Sequence, residues 1–416
     1  MPDTPAVPGQ RAIIIGGSMA GLFCGVLLRA AGWEVDIYER AGEELASRGA
    51  GIATHDELYA AFVAAGIDLQ AEMGVQSTGR IVFDRTGAVL GECAMPQIMT
   101  SWGFVFRFLR ARFPDAHYHS GYSFEDLRED SAGVEARFSN GHTVRADILI
   151  GADGTRSTVR QRLLPQAALD YCGYFAWRGL FDEARVPPAV LERVACRMAF
   201  SATPRGHWLG YLVAGPNDDL TPGGRWYNWG WYRRGDADAL RAHLTDTDGR
   251  HYPLGIPHHR MHPALVGAMR RQAHEELAPP IQRIVEATPT AYIQAIYELA
   301  SPQMVMGRTC LIGDAAFTAR PHVGLGVSKA AEDARTLAAA LCVPDRRTAL
   351  ANWEAARLRY GRAALRWGQD LGSYIAADTD DPAQREKADY YRRADTLLVE
   401  TAANEPGPYL EARMGR

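Results

Sequence analysis

Two stretches of the chain are apolar without interruption over strand length. They are Ala12-Ile13-Ile14-Ile15 and Ile148-Leu149-Ile150. Both read as strands buried on two faces, as in a parallel sheet. The first runs into Gly16-Gly17-Ser18-Met19-Ala20-Gly21, and LFCGVLLRAAG after it has helical character. A second strand, Trp33 to Tyr38, ends at Glu39, completing a β-turn-α-β unit. A third short apolar run, Thr309-Cys310-Leu311-Ile312, stops at Gly313-Asp314 and is followed by the helical stretch VSKAAEDARTLAAAL. Between these lie two aromatic segments, His207–Val213 and Arg225–Tyr232, joined by the turn-rich AGPNDDLTPGG. They read as paired strands. At period two, Arg225, Tyr227, Trp229 and Trp231 share one face, and Trp226, Asn228 and Tyr232 share the other. After Pro344 the spacing of Leu350, Trp353, Leu358, Leu365 and Trp367 predicts a long helix. A polar break follows, and then ADYYRRADTLLVE, read as a last helix at a subunit contact.

The 17 residues between Arg11 and Arg29 carry no charge. That is short of the roughly 20 needed to span a bilayer, and glycines break the run. No membrane segment is expected. The chain has 416 residues, 47% of them hydrophobic and 23% charged, with a net charge of −4. This excludes a disordered chain and the basic surface of a nucleic-acid binder. Six scattered cysteines form no C-x-x-C pair, and the first residues show no secretory signal, so a cytoplasmic location is expected. His251, His258, His259 and His262 sit among prolines with no interleaved carboxylate, so no metal site is expected.

The first β-turn-α-β unit matches a dinucleotide fingerprint except that Ser18 replaces the second glycine. Gly16 permits the tight turn, and Gly21 lets helix and strand pack closely. A small residue at 18 lets backbone N–H groups of Ser18, Met19 and Ala20 approach a pyrophosphate at the helix N-terminus. Glu39 and the adjoining Arg40 lie where an acid meets ribose hydroxyls, which favours FAD or NAD over NADP. Taken alone, these glycines also fit plain packing. Likewise Asp153-Gly154 after the 148–150 strand is an ordinary turn pair, and Gly313-Asp314 is an ordinary strand end.

Together and in this order, the three motifs resemble the single-component (class A) FAD-dependent aromatic hydroxylases, the para-hydroxybenzoate hydroxylase family. GGSMAGL, ILIGADGTRSTVR, YFAWRGL and GDAAFTARPHVGLGVSKAAEDARTLA are most similar to its 2,6-dihydroxypyridine 3-hydroxylase branch. The resemblance implies an α/β fold: a discontinuous Rossmann-like FAD-binding domain, a second domain on a mainly antiparallel sheet, and C-terminal helices. Residues 1–75, 100–170 and 290–375 would form the first domain, 76–99 and 171–289 the second, and 376–416 a tail. The implied reaction is hydroxylation of an electron-rich aromatic ring through a flavin hydroperoxide, with O2 as oxidant and NADH or NADPH as reductant. Asp153 and Gly154 would lie near the pyrophosphate, and Gly313 and Asp314 by the ribityl chain. Gly49, Ala50, Gly51 and Ile52 would pass near the isoalloxazine. Family members often carry an arginine opening the helix represented here by SWGFVFRFLRARF. This chain has Trp102 there, so either the contact is lost or Arg107 supplies it.

The chemistry requires a helix N-terminus against the charged flavin ring and a dry pocket. Gly324, Leu325 and Gly326 suit the first. Tyr227 and Tyr211 are expected to line the pocket, with His322 beside Pro321 as base or relay and His207 and His55 as weaker candidates. The expected partners are a small aromatic substrate and O2, with a homodimer as a further expectation. A flavin-dependent halogenase would carry Trp-x-Trp-x-Ile-Pro, but Trp229-Gly230-Trp231 continues as Tyr232-Arg233-Arg234. A non-catalytic nucleotide-binding regulator would lack the dry aromatic pocket.

Overall fold

The computed structural model describes residues 9–41, 51–67, 73–203, 205–376 and 379–415. Gly49 and Ala50 lie outside them. A six-stranded sheet carries the nucleotide motifs. Its order is Val305–Met306, Thr309–Leu311, Ile148–Gly151, Arg11–Ile15, Glu34–Glu39 and Tyr118–Ser120. Every neighbouring pair is parallel except the first. Ile13, Ile14, Leu149 and Ile150 are buried, as strands covered on both faces must be. The helix Met19–Ala30 packs against the helix Gly326–Leu341. A Cβ at Gly21 would stand 1.9 Å from the Gly16 carbonyl oxygen, so no larger residue fits there.

The second sheet has nine strands. In order they are Phe317–Thr318, Ala291–Ala300, Asp170–Asp182, Trp226–Arg234, Gly206–Val213, Arg197–Thr203, Val75–Phe83, Val89–Ser101 and Gly51–Ala53. Arg197–Thr203 runs parallel to Val75–Phe83, and the other main pairs are antiparallel. Strands Gly51–Ala53 and Ala291–Ala300 therefore belong to this sheet, although both fall inside the ranges expected for the flavin domain. One face buries Trp177, Trp208, Tyr227, Trp229 and Trp231 against the helices Pro263–Glu276 and Pro279–Ala287. Trp229 Nε1 donates to Thr288 Oγ1 at 2.9 Å, which satisfies that indole.

The other face holds Tyr174, Ala176, Tyr211 and Tyr232. C-terminal residues pack over it, among them Trp367, Leu371, Tyr374, Leu397 and Leu410. The long helix runs from Arg346 to Leu371. The segment 388–400, expected as one last helix, is instead divided between two helices, Pro382–Tyr391 and Ala394–Glu400, and a third, Gly407–Met414, follows. They pack on their own chain. No helix among the described residues is long and apolar enough to cross a membrane.

Candidate active site

Two adjoining cavities lie between the sheets. The first, about 420 Å³, runs along the carboxyl ends of the parallel strands. Gly16 opens it with φ +106, a conformation that suits glycine, and a Cβ there would meet the Ala152 carbonyl oxygen at 2.4 Å. The Gly16 amide donates to the Tyr38 carbonyl at 2.9 Å, tying the turn to the second strand. Ser18 precedes the first helix with extended backbone, and its side chain makes no capping bond. The first-turn amides beside Met19 and Ala20 therefore face the cavity as an anion site. Glu39 and Arg40 line the far end. Glu39 accepts from the Gly17 and Ala41 amides, both at 2.8 Å, so it braces the glycine turn as well as facing the groove.

Asp153 accepts from the Thr158 and Val159 amides through Oδ2 at 2.6 and 3.2 Å, capping the helix Thr158–Leu163. Its buried Oδ1 has no partner. Gly154, at φ +76, turns the chain beside it. Asp314 lines both cavities. Burial pushes its carboxyl up, opposed by Lys329, and Asp333 raises it further. Asp333 is itself anchored, accepting from the Gly313 amide at 2.9 Å and from Arg357 Nε at 2.5 Å. Gly21 and Gly313 are not lining residues. They let backbones meet closely, and a Cβ at Gly313 would lie 2.8 Å from Ala20 Cβ.

The second cavity, about 380 Å³, shares Trp102, Asp314, Gly326 and Val327 with the first. Gly51, Ile52, Tyr211, Pro321, His322, Gly324 and Leu325 are all on its wall. Gly51 has to be small, since a Cβ would sit 2.6 Å from the Tyr211 ring. Gly324 is left-handed at φ +70 and brings the chain to the start of the helix Gly326–Leu341. Sequence reasoning missed Arg178, Met198, Tyr232, Gln294 and Lys329 on the same wall. The quoted YFAWRGL contains Arg178, but nothing local shows which way its side chain points.

His322 is almost fully buried. Its Nε2 lies 2.8 Å from Tyr174 Oη, its Nδ1 has no partner, and its ring stacks obliquely on Tyr232 at 4.2 Å. Burial, with help from His207 and Arg320, holds its pKa well below the usual histidine value, so the ring is neutral at physiological pH. His207 pairs with Tyr374 Oη, and burial lowers it to about 3. Neither His207 nor His55 lines the cavity.

Two expected site residues are displaced. Tyr227 points to the opposite face of its strand, packed at 6.2 Å from Phe181 and 6.3 Å from Trp208, with no hydrogen-bond partner for its hydroxyl. The helices Pro263–Glu276 and Pro279–Ala287 cover that face, so Tyr232, on the alternate position, reaches the cavity instead. Arg107 turns away from both cavities and pairs with Asp218 on the loop between two strands of the large sheet. Trp102, at the first turn of the helix Trp102–Arg110, occupies the junction and stacks on Phe106 at 5.1 Å. Among the described residues no group of three or more His, Cys, Asp or Glu side chains could hold a metal ion.

A glycine-lined groove at the carboxyl ends of a parallel sheet, adjoining a second cavity, fits a dinucleotide-dependent oxidoreductase. Comparison with known proteins narrows the class. Residues 10–169 match an FAD binding domain, and residues 171–298 match an FAD binding domain-like family. The chain is 32% identical over 372 residues to 2,6-dihydroxypyridine 3-monooxygenase of Paenarthrobacter nicotinovorans, which covers 88% of this chain and 91% of that protein. It is 26% identical over 351 residues to 6-hydroxynicotinate 3-monooxygenase of Pseudomonas fluorescens, covering 80% and 82%. The solved structure of 2,6-dihydroxypyridine-3-hydroxylase from Arthrobacter nicotinovorans superposes with a TM-score of 0.83 at 30% identity, over 90% of this chain and 95% of that one. The chain belongs to the single-component FAD-dependent aromatic hydroxylase family and is an FAD-dependent monooxygenase.

Proposed function

We propose that the protein hydroxylates an electron-rich aromatic ring of the hydroxypyridine or phenol type, bound in the second cavity. The observation that carries this reading is the shared wall. Trp102, Asp314, Gly326 and Val327 bound both cavities, so a flavin held along the first would present its ring at the wall of the second, beside the substrate. The similarity to two hydroxypyridine-type monooxygenases supports the substrate class.

FAD, when bound, supplies the redox chemistry between a reduced nicotinamide, O2 and the ring. The chain's own residues do the rest. Ser18, Met19 and Ala20 amides with Gly16 would receive the pyrophosphate, Glu39 and Arg40 the adenosine end, and Asp153 and Gly154 would flank them. Asp314 would accept from the ribityl hydroxyls. Its raised pKa suits a carboxyl that gains hydroxyl donors in place of water. The amides after Gly324 and Leu325 provide positive potential toward the flavin ring, while the buried Lys329 beside them is paired with Asp333 at 3.6 Å. Gly51 and Ile52 line the cavity beside them. Met198, Leu209, Tyr211, Tyr232 and Pro321 exclude water from the substrate. His322 Nδ1, unpartnered and neutral, is available to take a hydrogen bond from a ring hydroxyl. NADH and NADPH are both open as reductant. A cytoplasmic, homodimeric enzyme is the working picture.

The test is to purify the protein with FAD and measure NADH and NADPH oxidation with and without hydroxypyridines and phenols, scoring hydroxylated product against hydrogen peroxide. A yellow protein whose reductant oxidation accelerates with substrate and yields hydroxylated ring is expected. Oxidation that is indifferent to every aromatic, with peroxide as sole product, overturns the reading.

A further inference from the structure

We propose that the second cavity selects an aromatic ring that arrives as a monoanion, with its charged oxygen seated on the guanidinium of Arg178. The inference rests on that cavity being the substrate site. Along the strand Asp170–Asp182, alternation puts Tyr174, Ala176 and Arg178 on the cavity face, and Phe175, Trp177 and Phe181 on the covered face. Across the sheet Arg178 is opposite Gly230 on one side and Tyr292 on the other. The missing side chain at Gly230 leaves the guanidinium its room, since a Cβ there would come within 3.3 Å of Arg178 Nη1.

What sets Arg178 apart is that no acid among the described residues pairs with it. Arg320 pairs with Glu298 at 2.7 Å, Arg225 with Glu183 at 2.5 Å and Arg233 with Glu276 at 2.9 Å. Buried Arg80 has no carboxylate either, but four acceptors surround it: Leu398, Thr401 and Ala402 carbonyls and Gln97 Oε1, at 2.5–3.1 Å. Arg160 takes the Ala315 and Thr155 carbonyls. Arg178 instead faces the phenols of Tyr211, Tyr232 and Tyr292, with side-chain hydrogen bonds to Tyr292 and Tyr232, and only its buried Nε has no partner. Burial holds Tyr211 at about 12 and raises Tyr232, so neither is ionised at physiological pH. Asp314 and Lys329 face the cavity from the flavin side, and Arg320 at its other wall is already paired. Arg178 is half-buried at the cavity wall, so an anionic ligand that closes over it supplies the counter-charge that no described acid provides. The same logic dispenses with a strong base in the chain. A ring whose oxygen is already deprotonated needs its charge held, and His322 and His207 are both too deeply buried to carry a proton readily.

The experiment uses FAD-loaded protein and reads dissociation constants from the change in flavin absorbance as ligand is added. One arm compares 6-hydroxynicotinate with its uncharged amide, 6-hydroxynicotinamide. The other compares 2,6-dihydroxypyridine, above its first pKa, with 2,6-dimethoxypyridine. The anion of at least one pair should bind 10- to 100-fold more tightly, the range of a charge-assisted contact. The pair that responds distinguishes a carboxylate from a ring oxide. Arg178→Gln should bring the anion to the level of its neutral partner while the neutral ligand's affinity and FAD content stay put, and Arg178→Lys should keep part of the preference. Equal affinity within both pairs for the native protein overturns the inference, as does a preference that survives Arg178→Gln. If Arg178→Gln loses FAD, the native pairs and Arg178→Lys decide. Hydroxylation confined to neutral rings would sink this inference and leave the hydroxylase reading intact.

Discussion

His55 has both ring nitrogens engaged, Nδ1 3.0 Å from Ser328 Oγ and Nε2 3.0 Å from the Ala403 carbonyl. Burial lowers its pKa to about 4, offset by the Ala403 bond and aided by Arg80. The folded value lies below the unfolded one, so the neutral ring's stabilisation is complete above about pH 6.5 and is lost as pH falls toward 4. That amounts to about 3 kcal/mol. Urea unfolding should therefore show stability falling between pH 7 and 4.5, with a shallower slope in His55→Gln. An identical slope in that variant would assign the pH dependence elsewhere. Tyr227 offers a second check. Its hydroxyl is buried without a partner, so Tyr227→Phe should keep activity within twofold and leave the melting temperature unchanged or higher. A tenfold loss of activity would return Tyr227 to the cavity. Asp314→Ala should weaken FAD retention by about tenfold or more on gel filtration, the scale of a lost charged hydrogen bond. Full retention would mean the Gly-Asp contact is misplaced. Asp153, Gly154 and Asp314 were legible because each ends a strand in a recognisable motif. Arg178 was not, because its meaning comes from what surrounds it, and that is supplied or withheld by strands far along the chain.

At the scale of elements, the segment Thr401–Ala403 links the tail to the cavity. Thr401 and Ala402 line it, and the Ala402 amide donates to the His322 carbonyl at 2.7 Å. Ala402 adopts φ +46, an uncommon conformation for alanine, and it is held there by Arg80 on the strand Val75–Phe83. Arg80→Met leaves the carbonyls of Leu398, Thr401 and Ala402 without their donor. The expected cost is about 3 kcal/mol of stability, with a larger peroxide fraction per reductant oxidised as the wall loosens. Unchanged coupling in a folded Arg80→Met protein would separate this segment from the chemistry. The hairpin Gly206–Val213 to Trp226–Arg234 and the long helix Arg346–Leu371 were readable from periodicity and turn residues. The tail's packing on the large sheet was not, because a short amphipathic helix does not show in its own sequence what it covers.

For the whole molecule, the chain crosses repeatedly between two sheets, and the cavities form where the crossings converge. The strands Gly51–Ala53 and Ala291–Ala300 leave the nucleotide-binding part of the chain to complete the large sheet. Domain limits drawn along the sequence therefore miss them. Two strands of three and ten residues carry no local mark of which sheet they will join, since pairing is decided by the edge available to them.

Local sequence by itself determined the glycine turn at Gly16, the acid at Glu39, the two later motifs and the alternation of the aromatic strands. From the order of the motifs it also determined the family and the flavin. Those features depend on backbone conformations and spacings within a few residues. Only the tertiary structure decided that Tyr232 and not Tyr227 meets the cavity, that Asp218 claims Arg107 while Trp102 stands at the junction, that Thr401 and Ala402 of the tail line the cavity, and that no acid among the described residues pairs with Arg178. Each of these is a choice between two faces or two partners. It is settled by what packs against the residue from a distant part of the chain.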